Sequence, residues 1–120
     1  MISSDILRGY NDIIILGLLR GQDSYGYNLM QEISSRSGGS YHMKETTLYS
    51  VLSRLEKNGL ITSYAGAETM GRKRTYYHIT PEGTKFYGEK CAEWRETKEL
   101  IDRFTVHLLS EAPDKPTDIF

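Results

Sequence analysis

Three consecutive cationic side chains follow a glycine in the second half of the sequence. Arg72, Lys73 and Arg74 come directly after Gly71, between two short runs rich in aromatic and β-branched residues. Cations presented together at a tight turn can bind phosphate oxygens, and arginine can also enter a narrow minor groove of DNA. The alternative is a solvated hairpin turn, which is where most charge clusters lie. We favour contact with DNA because an amphipathic segment with a polar start precedes this turn.

That segment, residues 44–58, has the pattern of a helix that could enter the major groove. Such a helix reads base edges with residues near its N-terminus, while other residues hold phosphates. Tyr49 would either reach a phosphate with its hydroxyl or be a half-buried aromatic, and Arg54 would hold a phosphate or be a solvated charge. Tyr25, at the start of the preceding helix, could meet a phosphate where free N–H groups point outward. The candidates on the segment itself are Lys44, Thr46, Thr47, Tyr49, Ser50 and Arg54.

The remaining reactive side chains show no arrangement typical of catalysis or metal binding. His42, His78 and His107 are scattered, without the spacing of metal ligands. Cys91 has no paired histidine and is more typical of a small core residue than of a nucleophile. We therefore predict no enzymatic activity, no cofactor and no metal site.

Length and composition place few further limits on function. The 120 residues suit one domain, and 15 Lys+Arg against 16 Asp+Glu give a formal net charge of −1. The charge of the whole chain therefore gives no support for nucleic-acid binding, and only its local distribution does. A single cysteine excludes an intramolecular disulfide, no signal peptide is evident, and the longest apolar run, residues 13–19, is too short to span a bilayer. We expect a soluble cytoplasmic protein without a membrane partner.

Hydrophobic periodicity predicts two helices in the first third of the chain. The first covers residues 6–19, although the β-branched run at residues 13–16 would also suit a strand. Asp23 or Ser24 could cap the second helix, which the glycine-containing residues 37–40 bring to an end.

A third helix, the cationic turn and two strands follow. The helix of residues 44–58 carries an apolar stripe and stops at Gly59. Strands at residues 61–65 and 74–79 then flank the turn. Helix, strand, basic turn, strand and helix is the order of a winged helix-turn-helix, which we assign to residues 1–80 as a DNA-binding domain. The predicted fold is mainly α with a small β-hairpin and one long C-terminal dimerisation helix.

The C-terminal helix starts at Thr80 and Pro81, a strong start signal, and is predicted over residues 81–109, followed by a flexible tail at residues 110–120. It carries a heptad stripe that is too long to pack on so small a domain, and a second copy of the chain is the simplest partner. The predicted first helix would share in this dimer contact. The alternative is a long core helix within one chain. The stripe consists of Tyr87, Cys91, Trp94, Lys98, Ile101, Thr105 and Leu108.

Several short motifs stand in a fixed order along the chain: Ser24-Tyr25-Gly26-Tyr27, Leu48-Tyr49, Arg54-Leu55-Glu56, Gly59-Leu60-Ile61, Gly71-Arg72, Tyr76-Tyr77 and Thr80-Pro81-Glu82-Gly83. In this order and spacing they resemble the PadR family of bacterial transcriptional regulators, over about residues 6–104. With one C-terminal helix, the chain is similar to the smaller subfamily that includes multidrug-binding repressors. Where many members carry glycine before Thr-Leu-Tyr and proline after it, this chain has Thr46 and Ser50.

The resemblance also implies a ligand site. In the multidrug-binding relatives, a tryptophan at the position of Trp94 and its two-fold mate sandwich flat aromatic ligands, since two indoles across a two-fold axis form a stacking slot. Trp94 could equally fill the core of the dimer. Those relatives carry an acid where this chain has Lys98, so a pocket here would favour neutral or anionic aromatics. The implied site residues are Ile6, Gly9, Tyr10, Ile13, Trp94 and Lys98.

These observations favour a homodimeric DNA-binding transcriptional regulator. It would act as a repressor on a pseudo-palindromic operator with half-sites about 10 base pairs apart. A planar aromatic ligand at the dimer interface would release it by shifting the dimer between spacings that fit and do not fit the operator. The alternative is a winged-helix module for protein–protein interaction that binds neither DNA nor an effector.

Overall fold

The computed structural model describes residues 2–67, 71 and 73–110, with side chains as far as residue 105. Within these residues the chain forms five helices and a three-stranded sheet, which confirms the predicted fold class. It divides into two compact units, Met1–Gly88 and Glu89–Phe120. The elements are α1 (Ser4–Leu7), α2 (Asn11–Gly21), β1 (Ser24–Tyr25), α3 (Gly26–Arg36), α4 (Glu45–Lys57), β2 (Ile61–Ala65), β3 (Thr75–Ile79) and α5 (Pro81–Ser110).

The predicted first helix is two helices, so its prediction as one continuous element was wrong. A turn at Arg8, Gly9 and Tyr10 separates α1 from α2, and glycine costs a helix interior up to about 1 kcal/mol relative to alanine. The Tyr10 N–H donates to the Leu7 carbonyl at 2.8 Å, and the start of α2 is fixed by a buried hydrogen bond from the Tyr41 hydroxyl to Asn11. Residues 13–16 are helical, which rejects the strand alternative.

The predicted caps of the second helix were also wrong. That helix, α3, begins at Gly26, with Tyr25 at the N-cap and no side-chain cap hydrogen bond. Ser24 instead pairs in β1 and accepts a hydrogen bond from the Asn28 side chain at 2.8 Å. Asp23 accepts hydrogen bonds from the sheet, so neither side chain serves the first turn of α3. The predicted end is confirmed, since α3 stops at Arg36 before two glycines with positive φ.

The third helix, α4, matches its predicted bounds to within one residue and ends where expected. Its apolar stripe is buried, and Gly59 follows it with φ 77°. The Gly59 N–H donates to the Glu56 carbonyl and the Leu60 N–H donates to the Leu55 carbonyl, the hydrogen-bond pair of a Schellman motif. Because this cap fixes the exit direction of the chain, it sets where β2 begins.

The strands form an antiparallel sheet in the order β1-β3-β2. The predicted hairpin of β2 and β3 is present, and β1 adds a third strand that the sequence did not predict. Tyr77 is buried, whereas Tyr76 is partly exposed and His78 is exposed, as their alternation along β3 predicted. The side chains of one sheet face therefore join the core, while the other face is open to solvent.

A single hydrophobic core holds the first unit together. It takes residues from α2, α3, α4, β2 and β3, and from the segment before α4. Two fully buried leucines of α2 and three of α4 are among its largest side chains. The buried residues of the cluster are Ile15, Leu16, Leu19, Leu29, Ile33, Tyr41, Met43, Leu48, Val51, Leu52, Leu55, Ile61 and Tyr77.

The start of α5 is held tightly against the end of α4. Thr80 caps the helix as predicted: its hydroxyl oxygen accepts from the Gly83 N–H at 2.9 Å, and its O–H donates to the Gly59 carbonyl. Gly83 lies so close to the Leu60 carbonyl that a Cβ there would overlap the oxygen. The predicted tail, residues 110–120, lies outside the described residues apart from Ser110, which ends α5.

Replacing Gly83 by alanine is expected to lower the free energy of unfolding by about 1–3 kcal/mol, because the added methyl meets backbone. Gly88→Ala is the matched control, since nothing lies within 4 Å of a Cβ in that position of the same helix. It should raise the free energy of unfolding by about 0.5–1 kcal/mol through helix propensity. Urea denaturation measures both free energies of unfolding. A change of the same sign in the two variants would contradict the close contact at Gly83.

Candidate nucleic-acid interface

Four of the predicted contact residues lie at the N-cap and in the N-terminal half of α4. Lys44 is the N-cap residue and has no side-chain cap hydrogen bond, so the first turn of α4 opens to solvent. Lys44, Thr46 and Ser50 are exposed, and Thr47 is partly exposed. They lie away from the buried stripe, as residues that read a DNA groove must.

Tyr49 lies on the same helix but points toward α3. Tyr49 is 42% exposed, which is compatible with both a phosphate contact and a half-buried aromatic. Its hydroxyl touches the backbone at Gly26, the first residue of α3, where a Cβ would overlap it. Gly26 therefore allows α4 and the N-terminus of α3 to approach closely through Tyr49.

Arg54 has a carboxylate partner within the chain. Its two terminal nitrogens donate to the two carboxylate oxygens of Asp12, each at 2.9 Å, which ties α4 to α2. These hydrogen bonds raise the pKa of the Arg54 guanidinium. Because Asp12 already engages the fork of its donors, a phosphate contact by Arg54 stays a prediction.

The two described cations at the turn between β2 and β3 differ in their surroundings. We call β2, β3 and this turn the wing. Gly71 has φ 78°, the left-handed conformation that favours glycine in a tight turn. Lys73 is exposed, and the Arg74 guanidinium carbon lies 4.2 Å from the centroid of the Tyr25 ring. Arg72 lies outside the described residues.

Three tyrosines cross the solvent face of the sheet, and we call them the tyrosine row. Tyr25 of β1 and Tyr64 of β2 both stand opposite Tyr76 of β3. The Tyr25 and Tyr76 rings meet edge to face at 5.3 Å between centroids, and those of Tyr64 and Tyr76 stack at 5.8 Å. The sequence placed Tyr76 on the open face but did not indicate this row, because its strand register was unknown.

Asp23 anchors the Tyr64 end of the row. One carboxylate oxygen accepts from the Tyr64 hydroxyl at 2.5 Å, and the other lies 2.8 Å from Nδ1 of His78. The hydrogen bonds from Tyr64 and from His78 hold the pKa of Asp23 below its ordinary value. The negative charge of Asp23 in turn raises the pKa of Tyr64 through their hydrogen bond. The loop before α3 is thereby joined to both strands of the wing.

A groove of about 280 Å³ lies between the wing, α4 and the start of α3. Four predicted contact residues meet there: Tyr25, Tyr49, Lys73 and Arg74. Two cations beside tyrosines form a surface that can bind an anion such as a phosphate. We call it the wing groove; its lining is Tyr25, Gly26, Tyr27, Tyr49, Lys73, Arg74, Thr75 and Tyr77.

The predicted ligand residues fall into two groups in different units. Ile6 of α1, Gly9 and Tyr10 of the turn, and Ile13 of α2 belong to the first unit. Trp94 and Lys98 belong to the second, where Trp94 is 43% exposed and the Lys98 ammonium lies 3.3 Å from an Asp102 carboxylate oxygen. The slot that would combine the two groups stays a prediction.

The described residues also bear on the presence of a membrane-spanning helix and of a metal site. Among the described residues, no helix is both long and apolar enough to cross a membrane. Across the same part of the chain, no group of three or more histidine, cysteine or acidic side chains could hold a metal ion.

Comparison with known proteins identifies a family. Residues 15–89 match the transcriptional regulator PadR-like family. A solved transcriptional regulator from Clostridium thermocellum is 56% identical, with a TM-score of 0.80 over 87% of this chain and 98% of that one. A PadR family regulator from Clostridium difficile is 38% identical, with a TM-score of 0.71 over 79% and 97% of the two chains. An uncharacterised protein from Lysinibacillus sphaericus is 49% identical over 87% of this chain and 95% of its own.

Replacing Asp23 by asparagine should destabilise the protein in a pH-dependent way. Because folding lowers the pKa of Asp23, the carboxylate contributes stability above its ordinary pKa of 3.8, and this is lost as pH falls through the lower folded value. We expect Asp23→Asn to lower the free energy of unfolding by about 0.5–1 kcal/mol at about pH 5.5. The difference from the unsubstituted chain should narrow by about pH 2.5.

Asp5→Asn is the control for this measurement, because Asp5 pairs with Arg8 on an exposed surface. Urea denaturation at each pH should show little change for that variant. An Asp23→Asn deficit that stays constant between the two pH values would contradict a role for the carboxylate charge.

Proposed function

We propose, since the chain belongs to the PadR-like family of transcriptional regulators, that it regulates transcription by binding double-stranded DNA through α4 and the wing. Members of this family are regulators rather than enzymes, which confirms the prediction that the chain is not an enzyme. The observation that carries the proposal is the wing groove, which brings Lys73 and Arg74 beside the start of α3 and Tyr49 of α4.

Different parts of this surface would contact the bases and the sugar–phosphate backbone. The exposed start of α4, with Thr46, Thr47 and Ser50, would enter the major groove, where hydroxyls can meet base edges. Lys73 and Arg74 would bind the sugar–phosphate backbone and fix the register. Lys44, at the N-cap, would add a phosphate contact at the positive end of the helix dipole. Base contacts would then come from α4 and most backbone contacts from the wing, two elements that border the same groove.

A homodimer would supply the second recognition helix. In the second unit, Leu100 and Ile101 are each 53% exposed and Phe104 is 62% exposed. These three side chains lie within about one turn of α5, and a contiguous exposed apolar patch marks an interaction surface. Heptad spacing favours a second copy of the same helix as the partner. The two winged helices of such a dimer would bind a pseudo-palindromic DNA site. We accordingly assign DNA binding to residues 1–80, and dimerisation to residues 81–109 with help from α1 and α2.

As a regulator, the protein would repress transcription, and a planar aromatic effector would relieve this repression. This proposal is supported by the resemblance to multidrug-binding repressors and by Trp94, which would stack on the ligand with its two-fold mate. Lys98 forms an ion pair with Asp102, so its charge is partly compensated, and a neutral aromatic fits better than a strongly anionic one. A regulator of this kind would work in the cytoplasm, where the DNA is.

Removal of the wing cations tests the DNA surface. The probe is the DNA duplex that lies upstream of this protein's own gene. Lys73→Ala with Arg74→Ala should weaken binding to it by about 10- to 100-fold, because two phosphate contacts are lost. The slope of log K against log salt should become shallower by about 1.8. Fluorescence anisotropy at several salt concentrations measures both quantities.

The matched control removes two cations elsewhere in the same unit, Arg8→Ala with Arg36→Ala, and so changes net charge equally. This variant should bind within about 2-fold of the unsubstituted chain if local contacts dominate over net charge. Equal losses for the two double variants would argue against the wing. Salt-independent or undetectable binding by the unsubstituted chain would favour the protein–protein module instead.

A charge in the apolar stripe tests the dimer. Ile101→Glu should convert the dimer to monomer, with at least about a 100-fold rise in its dissociation constant, because a carboxylate would be buried without a partner. Ala92→Glu introduces the same charge on the opposite side of α5, where the residue is exposed, and should leave the dimer intact.

Sedimentation at matched concentrations distinguishes these outcomes, and a dimer that survives Ile101→Glu would refute this interface. Emission of Trp94, the only tryptophan, tests the effector proposal on the same samples. Titration with planar aromatics should change the emission of the dimer, and a constant emission across such a panel would refute the slot.

A further inference from the structure

The guanidinium of Arg74 rests on an aromatic platform at the edge of the wing groove. Its carbon lies 4.2 Å from the centroid of the Tyr25 ring, within the distance of a cation–π interaction. Both residues line the groove. A guanidinium can contact an aromatic ring through its face, and its N–H donors lie in the guanidinium plane. A contact of this kind leaves those donors able to bind a phosphate.

We propose that Tyr25 is a positioning residue for Arg74: its ring holds the guanidinium in the orientation that meets a DNA phosphate. The inference rests on the proposed DNA-binding function and extends it. It assigns Tyr25 a role through its ring, in place of the direct phosphate contact that the sequence suggested.

The rest of the tyrosine row fixes the platform. The Tyr25 ring meets Tyr76 edge to face, and Tyr76 stacks on Tyr64. The Tyr64 hydroxyl is held by Asp23. Gly66 leaves room for the Tyr76 ring, which a Cβ at that position would overlap. The ring under Arg74 is thus held through contacts that reach across all three strands.

Ordering of Arg74 in advance would strengthen its contact with DNA. A long arginine side chain next to a hairpin turn loses conformational freedom when it binds a phosphate, and this loss opposes binding. Stacking on Tyr25 brings about part of that ordering before DNA arrives. The backbone at Arg74 is also fixed, since its carbonyl accepts from the Gly66 N–H at 2.8 Å. Both ends of the residue are therefore placed before binding.

A double-mutant cycle on the full chain tests the proposal. Tyr25→Phe keeps the ring and should bind the upstream duplex within about 2-fold of the unsubstituted chain. Tyr25→Leu removes the ring and should bind about 3- to 10-fold more weakly. In the Arg74→Ala background, Tyr25→Leu should cause no further loss, because the platform then supports nothing.

Losses that add in the double variant, or a Tyr25→Phe variant as weak as Tyr25→Leu, would overturn the positioning role and indicate an independent or hydroxyl-mediated contact. Thermal unfolding of each variant checks that the fold is retained, and Tyr25→Met provides the ring-free side chain if Tyr25→Leu does not fold. No binding by the unsubstituted chain would defeat the proposed function itself, whereas binding with additive losses would defeat the platform alone.

Discussion

The geometry of the candidate DNA surface depends on the pairing of two residues, Ser24 and Tyr25, with the middle of β3. This short strand lies immediately before α3, so it ties the start of a helix to the wing. Without it, the wing would be a two-stranded hairpin, which is marginally stable in isolation. With it, Tyr25 sits beneath Arg74 and the first turn of α3 borders the wing groove. The placement of the wing cations relative to the helices thus follows from two strand residues.

Two helix caps, at the end of α4 and at the start of α5, fix the two ends of the wing and act together. The Schellman motif at Gly59 turns the chain from α4 into β2, and Thr80 turns it from β3 into α5. The Thr80 hydroxyl also donates to the Gly59 carbonyl, so the two caps are joined to each other. The wing therefore leaves and rejoins the core at one place, and its tip is set by the register of the sheet in between.

The sequence predicted what depends on local spacing and missed what depends on distant partners. The apolar stripe of α4, its end at Gly59 and the start of α5 at Thr80 each arise within a few residues, and each was found. Asp23 looked like a helix cap because the hydroxyl of Tyr64, 41 residues away, could not be anticipated as its donor. Arg54 similarly has its carboxylate partner 42 residues away. In the candidate site, Tyr25, Tyr49, Lys73 and Arg74 were each named from the sequence, but their meeting in one groove and the tyrosine row required the strand register.

We expect the start of α4 and the wing of one chain to meet DNA together. Hydrogen–deuterium exchange of the full chain, with and without the duplex upstream of the gene, tests this most directly. The first amides of a helix have no intrahelical acceptor, so they report sensitively on contact. We expect DNA binding to slow exchange in both residues 44–50 and residues 73–75. Slower exchange confined to α5, with both of those segments unchanged, would contradict it.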